Sequence, residues 1–199
     1  MLSKLFVAFN FRTDSSLSRK IDGFKKRYDP KYRQRSFSHM ALLAPFEVKK
    51  GEEDDLGAEL KEELESFFYG HSSSLKLAFT GVGIFQSKRN NVVYFNPAYS
   101  PDLQFCSDLV LDICKSFIPG NVKYKPNERQ FLPLGYFSLV DNMIEVIEQL
   151  KMEFSLNSEL TIDGISLYEQ KSGSWVKREN LISFEDTEHS FLQYQERSL

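Results

Sequence analysis

The chain has 199 residues, 41% of them hydrophobic and 27% charged, with a formal charge of −3; this composition builds a core in one domain or two small lobes and excludes disordered, collagen-like and low-complexity chains. With a pI near 5.7, the surface as a whole does not attract nucleic acid, so any phosphate binding has to be local. No apolar run approaches the roughly 18 residues of a bilayer span, the run from Leu5 to Phe9 is shorter than a signal-peptide core, and a cytoplasmic location is expected.

Leu5, Val7, Phe9 and Phe11 alternate within a β-favouring segment, which predicts a strand over 4–11. Asp14 offers a cap to a helix whose stripe of Leu17, Ile21, Phe24 and Tyr28 ends before Pro30. A second strand is expected over 35–44, ended by Pro45. Period two places Phe37, His39, Ala41 and Leu43 on one face and Ser36, Ser38, Met40 and Leu42 on the other. A helix follows over 55–69, with Leu56, Leu60, Leu64, Phe67 and Phe68 inward and an acidic outer side. Strands over 75–85 and 92–95 are joined through the polar turn 87–91.

Ser100-Pro101 starts a helix with Leu103, Cys106, Val110, Ile113 and Phe117 in its stripe, and Pro119-Gly120 ends it. On that helix Cys106 and Cys114 stand about 12 Å apart at ~1.5 Å per residue, beyond disulfide reach, so both are expected as buried thiols. Segment 129–137 reads as a strand at an edge or a bulge, because Pro133 has no N–H to give a ladder. Ser138 caps a further helix with Val140, Met143, Ile147 and Leu150 inward, and strands over 159–168 and 175–184 flank Ser172-Gly173-Ser174. Strand, helix and strand recur in both halves with no linker between them, which predicts an α+β fold of two similar lobes in one domain spanning 1–199.

There is no Gly-rich phosphate loop, no Gly-x-Ser-x-Gly elbow and no Cys-x-x-Cys pair. The acids Glu52 to Asp55 and Glu62-Glu63 lack histidine partners and metal-ligand spacing, so no structural metal is expected. Three histidines occur, His39, His71 and His189; His71 opens a His-Ser-Ser-Ser run, but at a helix end rather than in a strand. Between Arg19 and Arg35 eight basic residues face two acids, and between Glu47 and Glu65 nine acids face three lysines. The basic run suits a phosphate or RNA backbone beside the His39 strand, and a solvated helix face explains it equally simply. The only tryptophan, Trp175, enters a strand after a turn, where a core or rim role outweighs ligand stacking.

The run Ser38-His39-Met40-Ala41-Leu42-Leu43-Ala44-Pro45-Phe46 resembles the first signature of the 2H phosphoesterase superfamily, the LigT-like 2′-5′ RNA ligases and cyclic phosphodiesterases: His, any residue, Thr or Ser, then an apolar residue. The opening strand, Gly81 to Phe85, Val92 to Phe95 and a helix before the second signature stand in the family's order, over most of residues 4–140. The resemblance implies a bilobal fold with antiparallel sheets, outer helices and a central cleft. In that cleft two strands each project a histidine and a hydroxyl. One imidazole takes a proton from the attacking hydroxyl and the other gives one to the leaving oxygen, with no metal or other cofactor.

The chain departs from that pattern. Ala41 stands where the first Thr or Ser belongs, and in the second motif Phe131 falls on the histidine and Pro133 on the hydroxyl. His39 remains as the catalytic candidate; by resemblance Arg129 and Tyr136 are candidate substrate contacts near the cleft, and Arg35 is a third from the basic run beside the His39 strand. A positioned acid or base contributes about 10²- to 10⁴-fold in rate, so the expectation is a pseudoenzyme that binds a nucleotide or RNA phosphate with little or no turnover. Two alternatives stay open. One is a live hydrolase of a 2′,3′-cyclic phosphodiester using His39 with Tyr136 or Lys125 as the acid; the other is a non-catalytic interaction module docking through its oppositely charged runs. Neither DNA reading nor membrane binding is expected, and oligomeric state is left open.

Overall fold

The computed structural model describes residues 1–13, 15–29, 32, 39–69, 76–86, 91–122, 124, 130–137, 143–154 and 159–184. Within them the chain runs β1 (Leu2–Phe11), α1 (Ser16–Tyr28), β2 (His39–Lys49), α2 (Glu53–Phe68), β3 (Lys76–Gln86), β4 (Asn91–Pro97), α3 (Pro101–Phe117), β5 (Leu132–Phe137), α4 (Met143–Glu153), β6 (Glu159–Lys171) and β7 (Ser174–Ser183). The fold is α+β, as the sequence pattern predicts. None of the described helices is long and apolar enough to cross a membrane.

The strands follow the order β2-β1-β6-β3-β4-β5, with β7 also on β6, and every pairing is antiparallel. One edge of β6 pairs with β1. Along the other, β3 meets residues 159–161 and β7 meets residues 164–171. Two half-sheets, β2-β1-β6-β7 and β3-β4-β5, are therefore joined through the start of one long strand. The α helices lie over one side of this sheet. Leu5, Val7 and Phe9 of β1 meet Ile21 and Phe24 of α1, Leu56, Leu60 and Leu64 of α2, Cys106 and Val110 of α3 and Leu150 of α4 in one core, all fully buried. Each such side chain contributes about 1.5–3 kcal/mol on leaving water.

Local chemistry sets the helix starts. The cap of α1 is Ser15 rather than Asp14, its Oγ accepting from the Ser18 N–H at 3.0 Å. Ser100 caps α3 in the same way, with Pro101 in the first turn. α2 has no side-chain cap; acids fill its first turn, at the positive end of the helix. There the buried Glu53 carboxylate accepts from the Gly51 N–H at 2.6 Å and from the Ser3 hydroxyl.

β2 differs from its expected form. It runs on through Pro45 to Lys49, because β2 is an edge strand and carries an extra residue there: Val7 faces Leu43 while Leu5 faces Phe46. A proline at an edge bulge forfeits no ladder bond. A second extra residue lies between Ala41 and Leu43, facing Ala8 and Val7. That bulge carries Leu43 off the face of His39 and Ala41 and into the main core beside Met40 and Leu42. β5 repeats the device at the opposite edge, with Gly135 facing Val93 and Pro133 facing Tyr94. Phe117, expected within the α3 stripe, is half-buried, whereas Leu103, Cys106, Val110 and Ile113 are buried as predicted. Ser138 and Val140, placed by the sequence at the start of α4, lie outside the described residues.

Two glycines make opposite predictions. A methyl at Gly164 runs into the Ile182 carbonyl oxygen, a backbone atom of β7 that cannot swing aside, whereas Gly23 on α1 faces open space. Gly164→Ala is expected to cost about 1–3 kcal/mol and Gly23→Ala to add about 0.5–1 kcal/mol; urea unfolding midpoints moving in the same direction contradict this. Glu53 predicts an acid limb. Burial raises its pKa, but the hydrogen bonds from Ser3, its own N–H and the Gly51 N–H, with the Arg178 charge, hold it below the ordinary carboxylate range. Its stabilisation is complete above the unfolded value of about 4.3 and disappears as pH falls through the lower folded value. A Glu53→Gln variant should lose that limb from the pH profile of unfolding free energy.

Candidate functional site

β1 is buried on both faces. Leu5, Val7 and Phe9 serve the helices, and the alternate residues Phe6 and Ala8 join Tyr168 of β6 in a second, small cluster, with Ala41 of β2 and Trp175 of β7 packed against it. No described helix contributes to this cluster. His39 opens β2 directly opposite Asn10. Half-buried, its ring lies 5.1 Å from Phe6 and 6.2 Å from Tyr168. Phe6 stacks on Tyr168 at 4.8 Å and 11°, and meets Trp175 edge-on at 4.7 Å and 89°. The histidine is therefore held on the helix-free face and not in the main core.

A polar chain fixes the floor beside it. The Tyr168 hydroxyl donates to Asn10 Oδ1, Asn10 Nδ2 donates to Ser166 Oγ at 2.6 Å, and Ser166 Oγ donates to Asn180 Oδ1 at 2.9 Å. Burial pushes the Tyr168 phenol up to about 12, so at neutral pH it is a donor that keeps its proton.

The second motif lies on the other half-sheet. Leu132 and Leu134 are fully buried in the main core, which leaves Phe131 and Pro133 for the opposite face. Phe131 meets Phe85 at 4.9 Å and Tyr94 at 5.1 Å, and Phe85 stacks on Tyr94 at 4.3 Å. The Tyr94 ring lies against Gly83, where any Cβ would strike it. Phe131 is thus part of an apolar aromatic cluster. β5 also lies against β2. The Tyr124 hydroxyl also donates to the Ala44 carbonyl in the β2 bulge at 3.4 Å.

Of the other sequence candidates, Tyr136 sits on β5 opposite Val92. Arg35, Arg129, Lys125, His71 and His189 lie outside the described residues. From the basic run, Arg19, Lys20, Lys26 and Arg27 are exposed on α1. Part of the acidic run is engaged within the fold: Arg178 of β7 bonds Asp54 at 2.5 Å and Glu169 at 2.8 Å. The two cysteines are free and buried, with burial pushing the Cys106 thiol to about 12, which makes it a poor nucleophile. Sequence reasoning missed Asn10, Ser166, Asn180 and Tyr168. The available signal was Asn10 itself, a polar residue at an alternate position of an otherwise apolar strand.

Among the described residues the face carries one imidazole, the amides of Asn10 and Asn180 over buried hydroxyls, and aromatic surface. It suits holding an oxygen-rich group beside an aromatic one more readily than moving two protons.

A family model described as the 2′-5′ RNA ligase superfamily matches residues 13–174. The fold is similar to that of Escherichia coli LigT complexed with 3′-AMP, at a TM-score of 0.54 and 15% identity over 94% of this chain and 100% of that one. Usb1 of Kluyveromyces marxianus is similar at a TM-score of 0.54 and 13% identity, over 87% of this chain and 96% of that one. A Staphylococcus aureus protein named "Putative phosphoesterase" is 29% identical over 89 residues, 45% of this chain and 48% of that protein. The chain thus spans about half the length of the curated relatives it matches.

The polar floor is testable by itself. Tyr168→Phe keeps the ring stacked on Phe6 and leaves Asn10 Oδ1 without its donor, at a cost of about 1–3 kcal/mol; an unchanged urea midpoint contradicts the hydrogen-bond chain.

Proposed function

The chain belongs to the 2′-5′ RNA ligase superfamily, and from that premise we propose that it binds a nucleotide or RNA phosphate at the His39 face with little or no phosphodiester turnover. The observation that carries this reading is residues 131–135, Phe-Leu-Pro-Leu-Gly, which hold no group able to carry a proton. This holds for any alignment of the second motif within that stretch. In-line attack on a phosphodiester needs a base on one side and an acid on the other, and each is worth about 10²- to 10⁴-fold. His39 supplies one of them. Ala41, two residues on along β2, offers no donor for a phosphate oxygen.

Binding does not need the missing pair. An imidazole N–H and the accessible amides of Asn10 and Asn180 suffice to contact phosphate oxygens, and the ligands of similar structures give the class: E. coli LigT is seen with 3′-AMP and with ATP, and K. marxianus Usb1 with uridine monophosphate. The whole chain acts as one bilobal unit in this reading, since both motif strands belong to one continuous sheet.

The test sets wild type beside His39→Ala on a panel of 2′,3′-cyclic nucleotides, with thermal melts in 3′-AMP. Neither protein is expected to turn over substrate. A ligand at about 100 times its Kd raises the wild-type Tm by roughly 5–10 °C, and the shift shrinks in His39→Ala. Turnover lost in the variant overturns the non-catalytic reading in favour of a hydrolase using Tyr136 or Lys125 as acid. Absence of any melting shift with cyclic nucleotides, 3′-AMP or RNA ends overturns the binding reading.

A further inference from the structure

Phe6 and Trp175 lie outside the residues 13–174 that the family model matches, yet they stand on the face of His39. The tight turn at Ser172 and Gly173, with φ of 51° and 83°, reverses the chain so that Trp175 faces Gln170 on β6. Its indole does not enter the main core. It meets Phe6 edge-on, while its sequence neighbours Ser174, Val176 and Lys177 are exposed. Phe6 and Tyr168 are only 3% and 2% exposed. Trp175 is half-buried, so it is the aromatic member of this cluster that keeps ring surface for a ligand. One ring, Phe6, separates the indole from the His39 imidazole, at 4.7 Å on one side and 5.1 Å on the other. A nucleotide holds its base and its phosphate about one ribose apart.

We propose that Trp175 is the base-stacking wall of the His39 site, so that its ligands are phosphates carrying a nucleobase and not sugar phosphates or free phosphate. This rests on the phosphate-binding reading above and narrows it. Stacking on an aromatic side chain tolerates any base, because every base presents a π-face. The site on this account selects for the presence of a base more than for its identity.

Because Trp175 is the only tryptophan, its fluorescence reports this position alone. Wild type is titrated with 3′-AMP, ribose 5-phosphate and inorganic phosphate, following tryptophan emission and, in parallel, the heat of binding. Quenching is expected with 3′-AMP only, with the two sugar or inorganic phosphates bound more weakly. By calorimetry, Trp175→Ala should bind 3′-AMP about 5- to 150-fold more weakly, while Trp175→Phe, which keeps a ring, stays close to wild type. Urea midpoints confirm that each variant is folded. Equal affinity for 3′-AMP and ribose 5-phosphate without quenching, or full affinity in Trp175→Ala, overturns the stacking wall and leaves phosphate binding at His39 standing. No binding of any of the three probes overturns both.

Discussion

β6 is the strand from which the rest of the structure is placed. It pairs with β1 along one edge and with β3 and then β7 along the other, so its backbone groups hold the two half-sheets in one register. Its side chains alternate on either side of an extra residue between Ile162 and Gly164. Leu160 and Ile162 before it, and Ile165 and Leu167 after it, enter the main core, whereas Ser166 and Tyr168 face the side that carries His39. Because a strand cannot slip by one residue without exchanging its faces, the polar floor beside His39 and the core under the helices are specified together. Gly164 belongs to the same constraint, since there the β7 backbone approaches too closely for any side chain.

The two strands that carry the family motifs occupy the outer positions of the sheet order, where bulges and prolines are tolerated. That position explains how the chain accommodates Pro45 and Pro133. The two strands differ in what surrounds them. On β2 the bulge after Ala41 leaves the His39 position on the helix-free face while returning Leu43 to the core. Just before β5, Phe131 is packed by Phe85 and Tyr94. Apolar surface buried there stabilises the second half-sheet.

Fold and chemistry therefore separate in this chain. The sheet and the helix layer follow the family's architecture, while the described side chains around His39 are aromatic rings and neutral hydrogen-bonding groups.

Much of this was legible in the sequence. The alternation of Leu5, Val7, Phe9 and Phe11, the stripe of Leu56, Leu60 and Leu64 and the Ser100-Pro101 start are local patterns, and local periodicity alone determines which element forms and which face is buried. The placement of His39 and Ala41 on one face followed from the same rule. What lay beyond reach depended on partners distant in the chain: Asn10 meets Ser166 across 156 residues, Trp175 meets Phe6 through a strand pairing the sequence does not announce, and Leu43 changed sides because β2 gained a residue relative to β1. By itself the sequence determined the elements and their apolar faces; the tertiary structure decided the registers and therefore which side chains surround His39, because register is set by the pairing of two strands and neither strand encodes it alone.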